Sequence, residues 1–229
     1  MYKLRAIGEF HSTTLFNKAF DYMISIGYES EEIIDSDYFY SYLDEPSIIA
    51  TKFFWDNISN TILEKLEKRL EKMGSSKREI EIKKLEIKRY LRGAEETNRR
   101  IFSEVDKGYK QVFLEGHEKH RELHPYAVYI NSKGISLIML DNLKESQELR
   151  EYVKAHPDGT RTEEEKLYRD KLMIARENIW VERINPSPLI NDSLLIAGNA
   201  HTANCWGLID KLREKQINLD CILDIDKSK

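Results

Sequence analysis

The apolar positions of this chain change period several times along its length, and the changes divide it into elements. Residues 2–8 read as a short strand ending at Gly8. Residues 13–55 are mostly helical in spacing and dense in aromatics: Phe16, Phe20, Tyr22, Tyr28, Tyr38, Phe39, Tyr40, Tyr42, Phe53, Phe54 and Trp55. Such density serves either as core packing under short helices or as an aromatic wall around a substrate. The helical pattern is clearest over 57–106. Ile62, Leu66, Leu70 and Met73 step by four, four and three, while Ile87, Leu91, Ala94, Asn98, Ile101 and Val105 alternate four and three. Gly74-Ser75-Ser76 interrupts the two seams. Two narrow apolar seams joined by a breaker predict an antiparallel helical hairpin with charged outer faces. It reads as a solvated arm, with a lid or a dimerisation arm as the functional alternatives.

Beyond residue 110 strands and helices alternate. Strands are expected at 111–114, 126–130, 135–140, 193–197 and 219–223, with Asn131-Ser132-Lys133-Gly134 as a hairpin-like turn. Helices are expected at 143–154, ended by His156-Pro157-Asp158-Gly159, at 162–184 and at 201–215. Thr162 and Glu165 have capping-box spacing. This alternation predicts an α/β fold, a mainly parallel sheet flanked by helices, in one domain spanning 1–229 with the hairpin 57–106 as an insertion. Ligand sites of such sheets lie beyond the carboxyl ends of the strands.

Composition narrows the function classes. A net charge of −4 argues against a nucleic-acid partner for the whole chain, although residues 61–100 carry 13 Lys/Arg against 8 Asp/Glu. Two cysteines, Cys205 and Cys221, make neither a disulfide framework nor a zinc ribbon. Cys205, four residues from His201, reads as a small buried helix residue rather than a nucleophile. With no apolar segment of signal-peptide or membrane-spanning length, the expected location is the cytoplasm, with no membrane partner.

The chemistry gathers at expected strand ends. The first strand runs into Gly8-Glu9-Phe10-His11, and the strand at 193–197 into Gly198-Asn199-Ala200-His201. If those strands are neighbours, both imidazoles reach one crevice. The strands at 111–114 and 135–140 deliver Glu115 and Asp141 to the same edge. Two histidines with several carboxylates suit general acid–base catalysis or a divalent metal. On the helix 162–184, Arg176 and Trp180 share a face at i, i+4. Arg176 there either serves the crevice, holding Glu9 or Glu115 ionised or clamping an anion, or makes an exposed helix ion pair. His117, His120 and His124, spaced by three and four, would lie on one helical face, either as a second metal-binding cluster or as solvated polar residues.

On these motifs the chain resembles the superfamily that groups the erythromycin esterases, the ChaN-like haem-associated proteins and the TraB/Tiki proteins. The matching features are Gly8-Glu9-Phe10-His11, Phe113-Leu114-Glu115-Gly116, Arg176-Glu177-Asn178-Ile179-Trp180, Gly198-Asn199-Ala200-His201 and the tail Gly207-Leu208-Ile209-Asp210-Lys211-Leu212. Trp180 stands where Met is usual, and residues 13–110 have no counterpart. The resemblance implies a hydrolase of ester or amide bonds. His11 would be general base or metal ligand, oriented by Glu9, and His201 a second ligand or the group that polarises the carbonyl. Glu115 would join them, Arg176 would stabilise the oxyanion or bind an anion, and Asp141, Glu177 and Trp180 would meet the substrate. The cofactor is either a divalent metal (Mn, Zn or Co) held by His11, His201 and Glu9, or none. The alternative is a non-catalytic protein that binds haem or a small anion. The partners expected are a small-molecule or peptide substrate and a second copy docked through the hairpin.

Overall fold

A computed structural model describes residues 1–9, 12–155 and 162–222. His11, the stop at His156–Gly159 and Leu223 lie outside the described residues. The chain divides into two compact units, Met1–Glu9 with Val105–Lys229, and Phe10–Glu104. The inserted unit therefore begins directly after the first strand rather than at residue 57.

In the first unit, five strands among the described residues form one parallel sheet: β1 (Tyr2–Glu9), β2 (Gln111–His117), β3 (Ser136–Asp141), β4 (Ser193–Gly198) and β5 (Ile217–Ile222), in the order β3-β2-β4-β1-β5. Continuous apolar runs such as Leu194-Leu195-Ile196-Ala197, all buried, are what a parallel sheet covered on both faces requires. β1 and β4 are neighbours, with Gly8 opposite Ala197 and Glu9 opposite Gly198. The two Gly-x-x-His segments thus leave adjacent strands.

The second unit is helical: α1 (Ser12–Ser25), α2 (Ser30–Ile33), α3 (Ser36–Phe39), α4 (Lys52–Lys72) and α5 (Lys77–Val105). Thr51 caps α4 by accepting from Phe54 N–H, and Ser76 with Glu79 does the same before α5. α4 and α5 form the expected antiparallel hairpin, with Lys84 paired to Glu67 at 2.9 Å. Ile62, Leu66, Leu70, Ile87, Leu91, Ala94 and Ile101 are buried along the seam, whereas Met73 is exposed. The aromatics of 16–55 pack on one another: Phe16 lies 5.3 Å from Phe39 and 6.2 Å from Trp55, and Tyr38 5.5 Å from Phe54. Most of this set is internal packing of the helical unit.

The remaining helices are α6 (Pro125–Ser132), α7 (Leu143–Ala155), α8 (Glu163–Ile184), α9 (Asn199–Thr202) and α10 (Leu208–Glu214). α8 starts at the Thr162/Glu165 capping box with three acidic residues in its first turn. Trp180, Val181 and Ile184 of α8 pack with Leu208 and Leu212 of α10 on a sheet face formed by Leu4, Ala6, Phe113, Leu140 and Leu195.

Three expectations are corrected. Residues 126–130 are helix, not strand, because Pro125 occupies the first turn and Tyr126, Ala127 and Ile130 are buried at helical spacing. The segment 201–215 is two short helices. Asn204, left-handed at φ 63°, ends the first, and its Oδ1 accepts from Ile209 N–H to start the second. Cys205 consequently sits exposed in the intervening turn rather than buried on a helix. Finally, His117, His120 and His124 share no helical face. His117 ends β2, residues 118–123 form a 3-10 turn, and His124 caps α6.

Candidate functional site

Four strands bring carboxylates and glycines to one edge of the sheet. Glu9 and Asp141 end β1 and β3, Glu115 lies near the end of β2, and Gly198 ends β4. Gly8 admits no side chain: a Cβ there would lie 2.0 Å from Asn199 Oδ1 and 2.6 Å from Thr202 Oγ1. α9 therefore sits directly against β1, which seats His201 at the strand ends.

α8 supplies the other half. The Arg176 guanidinium donates to both oxygens of Asp141, through Nε at 2.6 Å and Nη2 at 2.5 Å, and lies 2.8 Å from Glu115 Oε1. The indole N–H of Trp180 donates to Asp141 Oδ1 at 2.8 Å, and its ring carries the guanidinium at 4.8 Å. Glu115 Oε2 accepts from Gly198 N–H at 2.6 Å, tying β2 to the start of the second Gly-x-x-His segment. Burial works against the charge on Arg176, yet Glu115 and Asp141 outweigh it and hold the guanidinium above its ordinary range. Arg183 donates to the carbonyls of Met139 and Asp141 at 2.6 and 3.1 Å, holding the end of β3.

His201 is buried beside this ion network. Its Nδ1 is 2.9 Å from Glu177 Oε1, and Glu177 Oε2 accepts from Lys211 Nζ at 3.2 Å. Its Nε2 looks toward Arg176 Nη1 at 3.5 Å and Glu115 Oε1 at 3.8 Å. The ring lies between Trp180 and Trp206, at 4.4 and 4.9 Å. The Glu177 carboxylate against Nδ1 holds the orientation of the ring.

The structure thus brings together Glu115, Asp141, Arg176, Glu177, Trp180 and His201, and places Glu9 at the end of the strand next to β4. Glu177 and Trp180 have no exposed surface and back the network through their contacts with His201 and Asp141. Lys211, Trp206 and Arg183 were missed by sequence reasoning. Of these, Lys211 and Trp206 lie in the stretch expected to be one continuous helix, and only the break at Asn204 sets them beside His201. A concavity of about 440 Å³ between α7 and α8 is lined by Glu148, Glu151, Tyr152, Ala155, Glu164, Glu165 and Tyr168. It is not the network, because Tyr168 precedes Arg176 by two turns of α8, roughly 12 Å of helix.

Asp141 and Glu115 are not open to a divalent metal, and the set expected to hold one, His11, His201 and Glu9, includes a position outside the described residues. Both oxygens of Asp141 are taken by Arg176 and Trp180, and those of Glu115 by Arg176 and Gly198 N–H. The guanidinium already fills the cation position at the centre of these carboxylates. No group of three or more His, Cys, Asp or Glu arranged to hold a metal occurs among the described residues. No helix among them is long and apolar enough to cross a membrane.

Fold and site together define an α/β protein with a parallel sheet and a buried His–Glu–Arg network at its strand ends. Comparison of the chain with protein-family models, with curated proteins and with solved structures gives no match.

Proposed function

We propose that this chain hydrolyses an ester or amide bond without a metal, using His201 as general base. The observation that carries the proposal is the 2.9 Å contact between Glu177 and His201 Nδ1, which leaves Nε2 as an acceptor facing the strand-end carboxylates. Glu177 orients the ring and stabilises the imidazolium formed when Nε2 takes a proton from water. Water oxygen then bonds to the carbonyl carbon, and the proton held on Nε2 passes to the leaving group as the carbon–oxygen or carbon–nitrogen bond breaks. Arg176, near Nε2, stabilises the negative charge that develops on the carbonyl oxygen. Asp141 and Glu115 hold Arg176 in place, and Lys211 holds the second oxygen of Glu177. The likeness of the two Gly-x-x-His segments to those of the esterase superfamily supports the same chemistry. It also motivated a base at His11, a position outside the described residues.

The test is a screen of nitrophenyl esters and acyl nitroanilides with wild-type protein, His201→Ala and Glu177→Gln. Each substitution is expected to lower kcat by ~10² to 10⁴, and a chelator is expected to change nothing. Turnover lost on chelation and restored by Mn²⁺ or Zn²⁺ would overturn the metal-free mechanism. No turnover on any substrate would remove the hydrolase reading in favour of a ligand-binding role.

A further inference from the structure

The mechanism above leaves one strand-end imidazole without a task. His124 precedes α6, yet its ring folds back against the end of β2. A Cβ on Gly116 would lie 3.7 Å from His124 Cδ2 and 3.9 Å from its Nε2. Those are ordinary contact distances, so the ring packs on the backbone of Gly116; it is Met139, 2.8 Å from that Cβ, and the φ of +145° that call for glycine beside Glu115. His117, by contrast, spends its Nδ1 accepting from Lys119 N–H at 2.9 Å. His124 Nδ1 is shielded from solvent and has no hydrogen-bond partner among the described residues. Buried polar atoms in folded proteins are ordinarily paired, so a ring nitrogen left open beside a reactive cluster points to a group supplied from outside the protein.

The charge state agrees with a binding role. Burial holds the His124 pKa below its usual value, although Glu9 and Glu115 pull it upward; His120 adds to the lowering. The ring is neutral at neutral pH and offers one donor and one acceptor.

We propose that His124 is a substrate-binding residue of this site, with Nδ1–H donating to the carbonyl oxygen of the ester or amide while His201 acts on the attacking water from the other side of Glu115. The inference rests on the hydrolase reading for the identity of the ligand. That oxygen gains negative charge as the carbonyl is attacked, so the hydrogen bond strengthens in the transition state and the loss of His124 lowers kcat/KM.

The experiment compares His124→Leu with His124→Asn, whose amide N–H₂ falls near the position of Nδ1. With the ester substrate turned over by wild type, His124→Leu is expected to lower kcat/KM about tenfold, the worth of one hydrogen bond of about 1.4 kcal/mol. His124→Asn is expected to restore most of that loss. Wild-type kcat/KM in His124→Leu, or equal loss in both variants, overturns the inference and leaves the hydrolase reading standing. A second measurement covers a misfolded variant or an inactive wild type. In wild-type protein, acetamide is titrated while the ring nitrogens of His124 and His201 are followed by NMR. A saturable shift of His124 supports the binding role, and no shift at His124 overturns it.

Discussion

Removing the positive charge of Arg176 should cost the sheet unit a large share of its stability. In Arg176→Met the aliphatic bulk stays, but the two bonds to Asp141 at 2.5 and 2.6 Å and the ion pair with Glu115 at 2.8 Å are lost. Asp141 keeps only the Trp180 indole and Glu115 only Gly198 N–H. Asp141 is 6 % exposed, so its charge stays buried without a counter-ion. Breaking a buried pair from one side costs about 3–5 kcal/mol. Against a total of about 5–15 kcal/mol for a domain, that is a fifth or more. At about 2–4 °C per kcal/mol for a chain of this length, Tm falls by roughly 6–20 °C. Because the chain divides into two units, one transition cannot be assumed. Of its three tryptophans, Trp180 and Trp206 sit beside His201 and Trp55 in the helical unit. A Trp55→Phe background therefore makes fluorescence in urea a reporter of the sheet unit alone. Adding Asp141→Leu to Arg176→Met should recover part of the loss, with a coupling of about 2 kcal/mol in the double-mutant cycle. A loss below about 1 kcal/mol in Arg176→Met, or strict additivity in the cycle, would refute the view that this network is tightly coupled.

Three further outcomes follow from the same geometry. Gly8→Ala should destabilise by about 1–3 kcal/mol, since its Cβ would strike Asn199 and Thr202; urea midpoints check this, and an unchanged midpoint would mean α9 moves freely. Leu66→Ala and Leu91→Ala in the hairpin seam should each cost about 2–5 kcal/mol, read as faster amide exchange in α4 and α5 together. For His124, whose folded pKa lies below 6.5 through burial, the unfolded chain protonates first on acidification. Its contribution to stability is therefore complete above pH 6.5 and declines below it until the folded ring also takes a proton. His124→Asn should flatten the acid side of the stability profile, and an unchanged slope would show that the ring is not shielded.

The strands were legible where apolar residues ran continuously into a glycine or carboxylate, as at Ile7-Gly8-Glu9 and Leu114-Glu115. Such runs are what a parallel sheet buried on both faces demands. The same criterion misread Tyr126-Ala127-Val128-Tyr129-Ile130, five apolar residues that periodicity alone cannot divide between strand and helix. Pro125 was the available signal, because a proline in the first turn favours helix and lacks only a hydrogen bond that the first turn never makes. The break at 203–207 was less legible. Cys205, Ile209 and Leu212 keep a helical spacing across it, while left-handed backbone at both Asn204 and Gly207 interrupts the helix, and Gly207 was the available signal. The inserted unit was underestimated because the aromatic segment before residue 57 lacks a regular period, although its rings pack with those of α4.

The candidate site was legible in so far as strand ends carry it, and obscure where one helix organises it. Glu115, Asp141 and His201 could be placed at one edge from strand order and glycine position alone. What spacing could not show is the division of labour along α8. Arg176, Trp180 and Arg183, spaced by four and three, address β3: the first two hold the Asp141 carboxylate and the third the strand's last carbonyls. Glu177, one residue further round, turns instead to His201 and Lys211. A rotation of α8 by one residue, about 100°, would exchange the guanidinium for the carboxylate beneath Asp141 and set like charges together. The packing of Val181 and Ile184 against the sheet therefore fixes more than a hydrophobic contact. It sets which of two adjacent, oppositely charged residues meets the strand ends and which orients the histidine, and so the apolar register of one helix decides the electrostatics of the whole site.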